Sequence, residues 1–116
     1  MSASAEFIAY LTELLEPLGP VAARRMFGAA GLFLDGLMFG LIAEDVLYLK
    51  VDDENHGAFE EAGMEPFRYQ KKDRLVALSY FEVPPEALED GDELCHWSRD
   101  AWAAARRADG KKGRRK

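Results

Sequence analysis

Four short constellations in this chain hold residue types that catalysis, metal binding or phosphate binding would use. Cys95-His96 supplies a thiol and an imidazole, the components of an activated nucleophile. Adjacent residues on a helix point about 100° apart, so these two cannot face each other as a pair. His56 lies in the acidic run Asp52-Asp53-Glu54-Asn55-His56 and reads as a solvated residue on a short helix. One cysteine and two distant histidines offer no C-x-x-C or H-x-x-x-H spacing for zinc. Asp52-Asp53-Glu54 would hold a hard cation only if three consecutive carboxylates converged, and consecutive side chains diverge; they suit a helix N-terminus. Gly28-Ala29-Ala30-Gly31 has the glycines of a phosphate loop without its Gly-Lys-Ser/Thr ending, and it leads into a strand. Ser79 and Tyr80 have no base beside them in sequence. The residues therefore describe a non-enzymatic protein with no cofactor and no metal.

Binding signals are stronger. Residues 1–105 carry 8 Lys/Arg against 20 Asp/Glu, whereas residues 106–116 carry 7 basic residues against Asp109. The tail residues Arg106, Arg107, Lys111, Lys112, Arg114, Arg115 and Lys116 could neutralise several phosphates, so nucleic-acid binding through the tail is one reading. A solubilising terminus is the other. No aromatic interleaves the tail, which argues against base stacking. Met38, Tyr48 and Phe81 form an apolar patch if they share the face away from the helices, and such a patch marks an interface. Arg24 and Arg25 are candidate anion contacts; on a strand they point to opposite faces, so at most one serves. A small-ligand site near Arg24, Arg25 and Tyr80 is a further alternative.

Three helices and five or six strands must position these groups. Phe7, Ile8, Leu11, Leu14, Leu15 and Leu18 recur at helical spacing over Ser4 to Leu18, with Ser4 as N-cap and Gly19-Pro20 as stop. Val21 to Phe27 reads as extended, and Gly28 to Gly31 as a bend or bulge with positive φ at both glycines. Asp35-Gly36 between apolar runs is a type I′ hairpin signal joining Leu32-Phe33-Leu34 to Leu37–Ile42. Glu44-Asp45 makes the next turn into Val46–Val51. Asp52 or Asp53 caps a short helix reaching Ala62, with Ala58, Phe59 and Ala62 as its docking stripe and Gly63 at its end. Phe67-Arg68-Tyr69, the turn Gln70–Asp73 and Leu75–Phe81 form a second hairpin. Pro84-Pro85 breaks the sheet, a helical turn spans Glu86–Glu89, and Asp90 caps a last helix reaching Ala108 through the stripe Leu94, Trp97, Ala101, Trp102 and Ala105. Hairpin-linked strands predict a two-layer α+β domain, residues 1–108, with an antiparallel sheet and helices on one face. Residues 109–116 are expected to be a disordered basic tail.

A chain of 116 residues suits one domain with a real core. No apolar run approaches the roughly 20 residues of a membrane helix, and the N-terminus MSASAEF lacks the form of a secretory signal. A lone cysteine needs no oxidising compartment, so a cytoplasmic location is expected.

Arg25-Met26-Phe27-Gly28, Gly31-Leu32-Phe33, Asp35-Gly36, Met38-Phe39, Leu47-Tyr48-Leu49-Lys50, Pro66-Phe67 and Leu78-Ser79-Tyr80 to Pro84 follow one another at telling distances. In this order the chain resembles the N-terminal domain of the TfoX/Sxy family of competence regulators over residues 5–107. The GAAG stretch departs from the family's more usual double glycine. The resemblance implies a secretion-chaperone-like α+β fold, often dimeric, without catalytic residues or cofactor. It also implies a protein partner, possible homodimerisation and a tie to transcription machinery. The family's full-length regulators are similar to co-activators that raise expression of DNA-uptake genes with the cyclic-AMP receptor protein. Those regulators add a helical C-terminal domain, which this chain, ending at Lys116, is expected to do without.

Overall fold

The computed structural model describes residues 3–26, 28–71 and 74–114, with 69–77 and 111–114 described along the backbone alone. Helix α1 spans Ala5–Leu14 and is capped by Ser4, whose hydroxyl accepts a hydrogen bond from the Phe7 amide at 3.1 Å. Pro17 cannot continue an α-helix, and a 3-10 turn, Glu16–Leu18, finishes the segment. Strands β1 (Ala22–Met26), β2 (Ala29–Leu34), β3 (Leu37–Ala43) and β4 (Val46–Lys50) follow as an antiparallel meander. Helix α2 (His56–Glu61) leads to the hairpin β5 (Pro66–Lys71) and β6 (Arg74–Glu82). A 3-10 turn, Pro85–Glu89, and helix α3 (Gly91–Arg114) complete the chain. The six strands lie in the order β1-β2-β3-β4-β6-β5, all antiparallel. This is the α+β architecture that the hairpin pattern predicts.

Alternation along the strands sorts the sheet into two faces. Ala30, Leu32, Leu34, Ile42, Leu47 and Leu49 form one core with Leu11 and Leu15 of α1, Phe59 of α2, and Leu94, Ala101 and Ala105 of α3. All three helices therefore cover the same, inner face. Trp102 donates its indole N–H to the Leu34 carbonyl at 2.9 Å, tying α3 to the end of β2. Asp90 accepts from the amides of Asp92 and Glu93, as expected of a helix cap.

Several local expectations are corrected. Gly28 does take positive φ (79°), but Gly31 lies inside β2 in pairing with Arg24 and Leu41. The bulge sits elsewhere: Leu32 pairs with Gly40 and Phe33 with Met38, leaving Phe39 unmatched and turned into the core. At the turn from β3 to β4, which lies at Glu44-Asp45 as expected, both residues adopt positive φ (53° and 59°) without glycine. The α2 cap position is Asn55, not Asp52 or Asp53, and Phe59 is the residue α2 buries while Ala58 and Ala62 are exposed. Gln70 and Lys71 belong to β5 instead of the turn; Lys72 and Asp73 lie outside the described residues, as does Phe27. Helix α3 runs to Arg114, six residues beyond Ala108, although Asp109, Gly110 and Gly113 are poor helix formers.

Candidate functional site

The residues with chemical potential are kept apart. Cys95 is buried, with its thiol 3.5 Å from the Leu14 carbonyl, and burial pushes the thiol pKa up. His96 faces outward, 4.0 Å from Asp100, and His56 lies 3.3 Å from Glu60 on α2. Among the described residues, no three His, Cys, Asp or Glu side chains are grouped to hold a metal. Burial raises the Tyr80 phenol to about 12, which keeps it protonated and unsuited to act as a base.

Arg24 and Arg25 divide between the faces, as strand alternation requires. Arg25 turns inward and donates to the Ala3 carbonyl at 2.8 Å. Arg24 turns outward and stacks over the Phe33 ring at 5.2 Å. Tyr80 lies on β6, four strand positions from β1, or about 19 Å by strand spacing. The arginines and Tyr80 therefore do not frame one ligand site.

The outer face instead gathers half-buried apolar side chains between a few charged ones. Register places Gly31, Leu41, Tyr48 and Glu82 in one row and Phe33 and Met38 in the next, which Lys50 and Tyr80 continue. Above Gly31, three large side chains converge: a Cβ there would lie 2.9 Å from Met26 Cε, 3.0 Å from Met38 Sδ and 3.0 Å from Phe33 Cε1. The glycine thus serves as the floor beneath a Met-Met-Phe platform. Leu41 is buried by its neighbours on this face and stays outside the helix-side core. Tyr48 meets Phe67 edge-on at 4.9 Å. Burial, then Glu82 and Glu44, raise the Tyr48 phenol pKa. Of the expected patch, Met38 and Tyr48 do share this face, whereas Phe81 pairs with Leu49 and packs against Phe59 on the helix side. Tyr80 takes Phe81's place, with the Lys50 ammonium 5.4 Å from its ring centre.

At one end of the sheet, α3 overhangs the strands. A cleft of about 180 Å³ opens there between Leu37, Met38, Lys50, Tyr80 and the α3 residues Ala105, Ala108 and Asp109. Beside it, Arg107 grips the loop after β4: Nε and Nη2 donate to the two Asp52 carboxylate oxygens at 2.6 and 2.9 Å, and Glu54 lies at 3.4 Å. Arg106 stacks over Trp102 at 5.2 Å. Of the seven basic tail residues, Arg107 is thus neutralised within the domain. The backbone of Lys111, Lys112 and Arg114 continues α3, and Arg115 and Lys116 lie outside the described residues.

The clasp makes a pH prediction. Its hydrogen bonds to Arg107 hold the Asp52 carboxyl below its ordinary value of 3.8, so it contributes stability above that value and loses it as pH falls through the lower, folded-state value. Arg107→Ala is expected to cost about 1 kcal/mol at pH 7. In urea melts the gap between the variant and the parent should shrink steadily below about pH 4. A gap that holds constant into strong acid would show that Arg107 acts through packing alone.

Sequence reasoning missed Gly31 as a platform, Phe33 and Leu41 as surface-forming residues, and Lys50 as a stacked cation. The signal was present as alternation: Gly31, Phe33, Tyr48 and Lys50 occupy the positions between core residues on β2 and β4.

Comparison with known proteins adds identity to geometry. The family described as the TfoX N-terminal domain matches residues 13–105. A protein of Aliivibrio fischeri (strain ATCC 700601 / ES114) named DNA transformation protein TfoX1 is 38% identical over 69 residues. That similarity covers 60% of this chain and 33% of the relative, so the match spans about a third of the relative's length. Among the described residues, no helix is long and apolar enough to cross a membrane.

Proposed function

Because the chain belongs to the TfoX N-terminal domain family, we propose that it is a non-enzymatic protein-interaction module in the regulation of DNA uptake, working through the outer face of its sheet. The observation that carries this reading is the platform of Met26, Phe33 and Met38 over Gly31, flanked by Leu41 and Tyr48, on the face opposite the helix-packed core. Methionines adapt to differently shaped partners, and a surface built on them suits association better than turnover. The relative's printed name, DNA transformation protein, supports the link to DNA uptake. Direct nucleic-acid binding has less support, because Arg107 is held by Asp52 and Glu54.

Deleting the gene in its host is expected to lower natural transformation frequency tenfold or more. Supplying the parent chain should restore it. Met38→Asp, which charges the platform at a half-buried position, should fail to restore it while keeping its far-UV circular dichroism and melting transition. Transformation that is unchanged by deletion, or restored by a folded Met38→Asp chain, would overturn this function.

A further inference from the structure

Charge on the outer face runs against charge on the rest of the domain. Residues 1–105 carry 20 acidic and 8 basic residues, yet two of those eight, Arg24 and Lys50, stand on the outer face with no carboxylate at ion-pair distance among the described residues. Other cations are engaged: Arg68 pairs with Glu65 at 3.2 Å, and Arg25 bonds the Ala3 carbonyl. Arg24 and Lys50 are each laid over an aromatic ring, Phe33 and Tyr80, an arrangement that orients a cation while leaving its other side open to an anion.

Their spacing is informative. Arg24 is aligned with Tyr48 through Gly31 and Leu41, and Lys50 is two residues past Tyr48. Three strand spacings and two residues place the two cations about 16 Å apart. The line between them crosses the Phe33–Met38–Leu41 surface and ends at the cleft of about 180 Å³, walled by Leu37, Met38, Lys50 and Tyr80 on the sheet and by Ala105 and Asp109 on α3. A cleft of that size admits one large apolar side chain, the kind of anchor on which interface energy concentrates. The free sheet edges belong to β1 and β5, and Lys50 lies on neither. Strand addition would therefore leave the cleft and Lys50 unused, whereas a helix laid across the strands reaches both cations and the cleft.

We infer that the outer face receives a short amphipathic helix of another protein, acidic at both ends, whose carboxylates meet Arg24 and Lys50 and whose bulky apolar residue fills the cleft. At 1.5 Å per residue, about 11 helical residues separate the two carboxylates. Glu82, opposite Tyr48, and Asp109, on the α3 wall of the cleft, flank this line and disfavour further acidic residues beside them. The inference rests on the interaction reading of the outer face and adds the partner's chemistry to it.

The test is selection from a phage-displayed library of random helical peptides of about 14 residues, long enough for the span, against the full chain. Enriched sequences are expected to carry Asp or Glu about 11 residues apart with a large apolar residue near one of them. The selected peptides should bind the Arg24→Glu/Lys50→Glu chain at least tenfold more weakly, and Arg24→Gln/Lys50→Gln should reproduce the direction of the loss with less risk to folding. Basic or uncharged winners, acidic winners indifferent to both double variants, or no enrichment would each overturn the inference. Uncharged winners that are lost on Met38→Asp would overturn the acidic helix alone and leave the interaction module standing; unchanged transformation on gene deletion removes the function independently of any peptide.

Discussion

Phe59→Ala is expected to destabilise the chain by about 3–5 kcal/mol, the usual loss for deleting a fully buried aromatic. Phe59 is 0% exposed and is the residue by which α2 docks. Its ring lies edge-on to Trp97 of α3 at 4.7 Å and tilted to Phe81 of β6 at 5.8 Å. One side chain thus joins a six-residue helix, the long helix and the sheet. A helix that short has no stability of its own and persists through its packing. With total stability on the order of 5–15 kcal/mol, the variant should be marginal at 37 °C. Urea unfolding should show a midpoint shifted strongly downward with an unchanged slope. Phe59→Leu retains most of the apolar volume and should lose less than half as much. Equal losses for the two variants would mean that the ring contacts, and not the filled volume, hold the three elements together.

The contrast between Phe59 and its neighbours shows what the sequence could disclose. Periodicity placed Phe59 on an apolar stripe with Ala58 and Ala62, but both alanines are exposed. Small side chains give a weak periodic signal, and a six-residue helix is too short to average it. Where local chemistry dictates the backbone, reading was direct: Asp35-Gly36 adopts positive φ at both residues, Ser4 caps α1, and Asp90 caps α3. Nonlocal arrangements were hidden. Nothing in the order of residues says that β4 pairs with β6, leaving β5 at the edge, or that Phe39 is displaced inward by a mismatch with β2. The outer face was half legible. Of the expected patch, Met38 and Tyr48 share the face, but the register of β6 against β4, which comes only from the fold, sets Tyr80 outward in place of Phe81. Gly31 shows the same limit: its role is set by three side chains from three strands.

Asn55 is the residue whose loss should most disturb the end of the sheet where the proposed contact surface and the clasp meet. It is a buried polar residue, 8% exposed, at the start of α2. Its side chain does not cap the helix; it turns back, accepting from the Asp52 amide at 2.7 Å and donating to the Lys50 carbonyl at 3.0 Å. Asn55→Leu would leave that amide and that carbonyl without their partner. Buried groups left unpaired cost about 1–3 kcal/mol each, so a total loss of about 2–4 kcal/mol is expected, less what water recovers at the loop surface. The same two bonds fix the backbone of Lys50 and Asp52, and Asp52 must be held in place for its carboxylate to meet Arg107 with both oxygens. Asn55 and Arg107 should therefore couple although they do not bond to each other. In a double-mutant cycle, Arg107→Ala should cost at least 0.5 kcal/mol less in the Asn55→Leu background than in the parent, the scale of neighbours sharing a network. Additive losses would mean that the Asp52 carboxylate finds Arg107 without the loop's help. Coupling would show that one buried amide positions both the clasp that holds α3 down and the strand end from which Lys50 is presented.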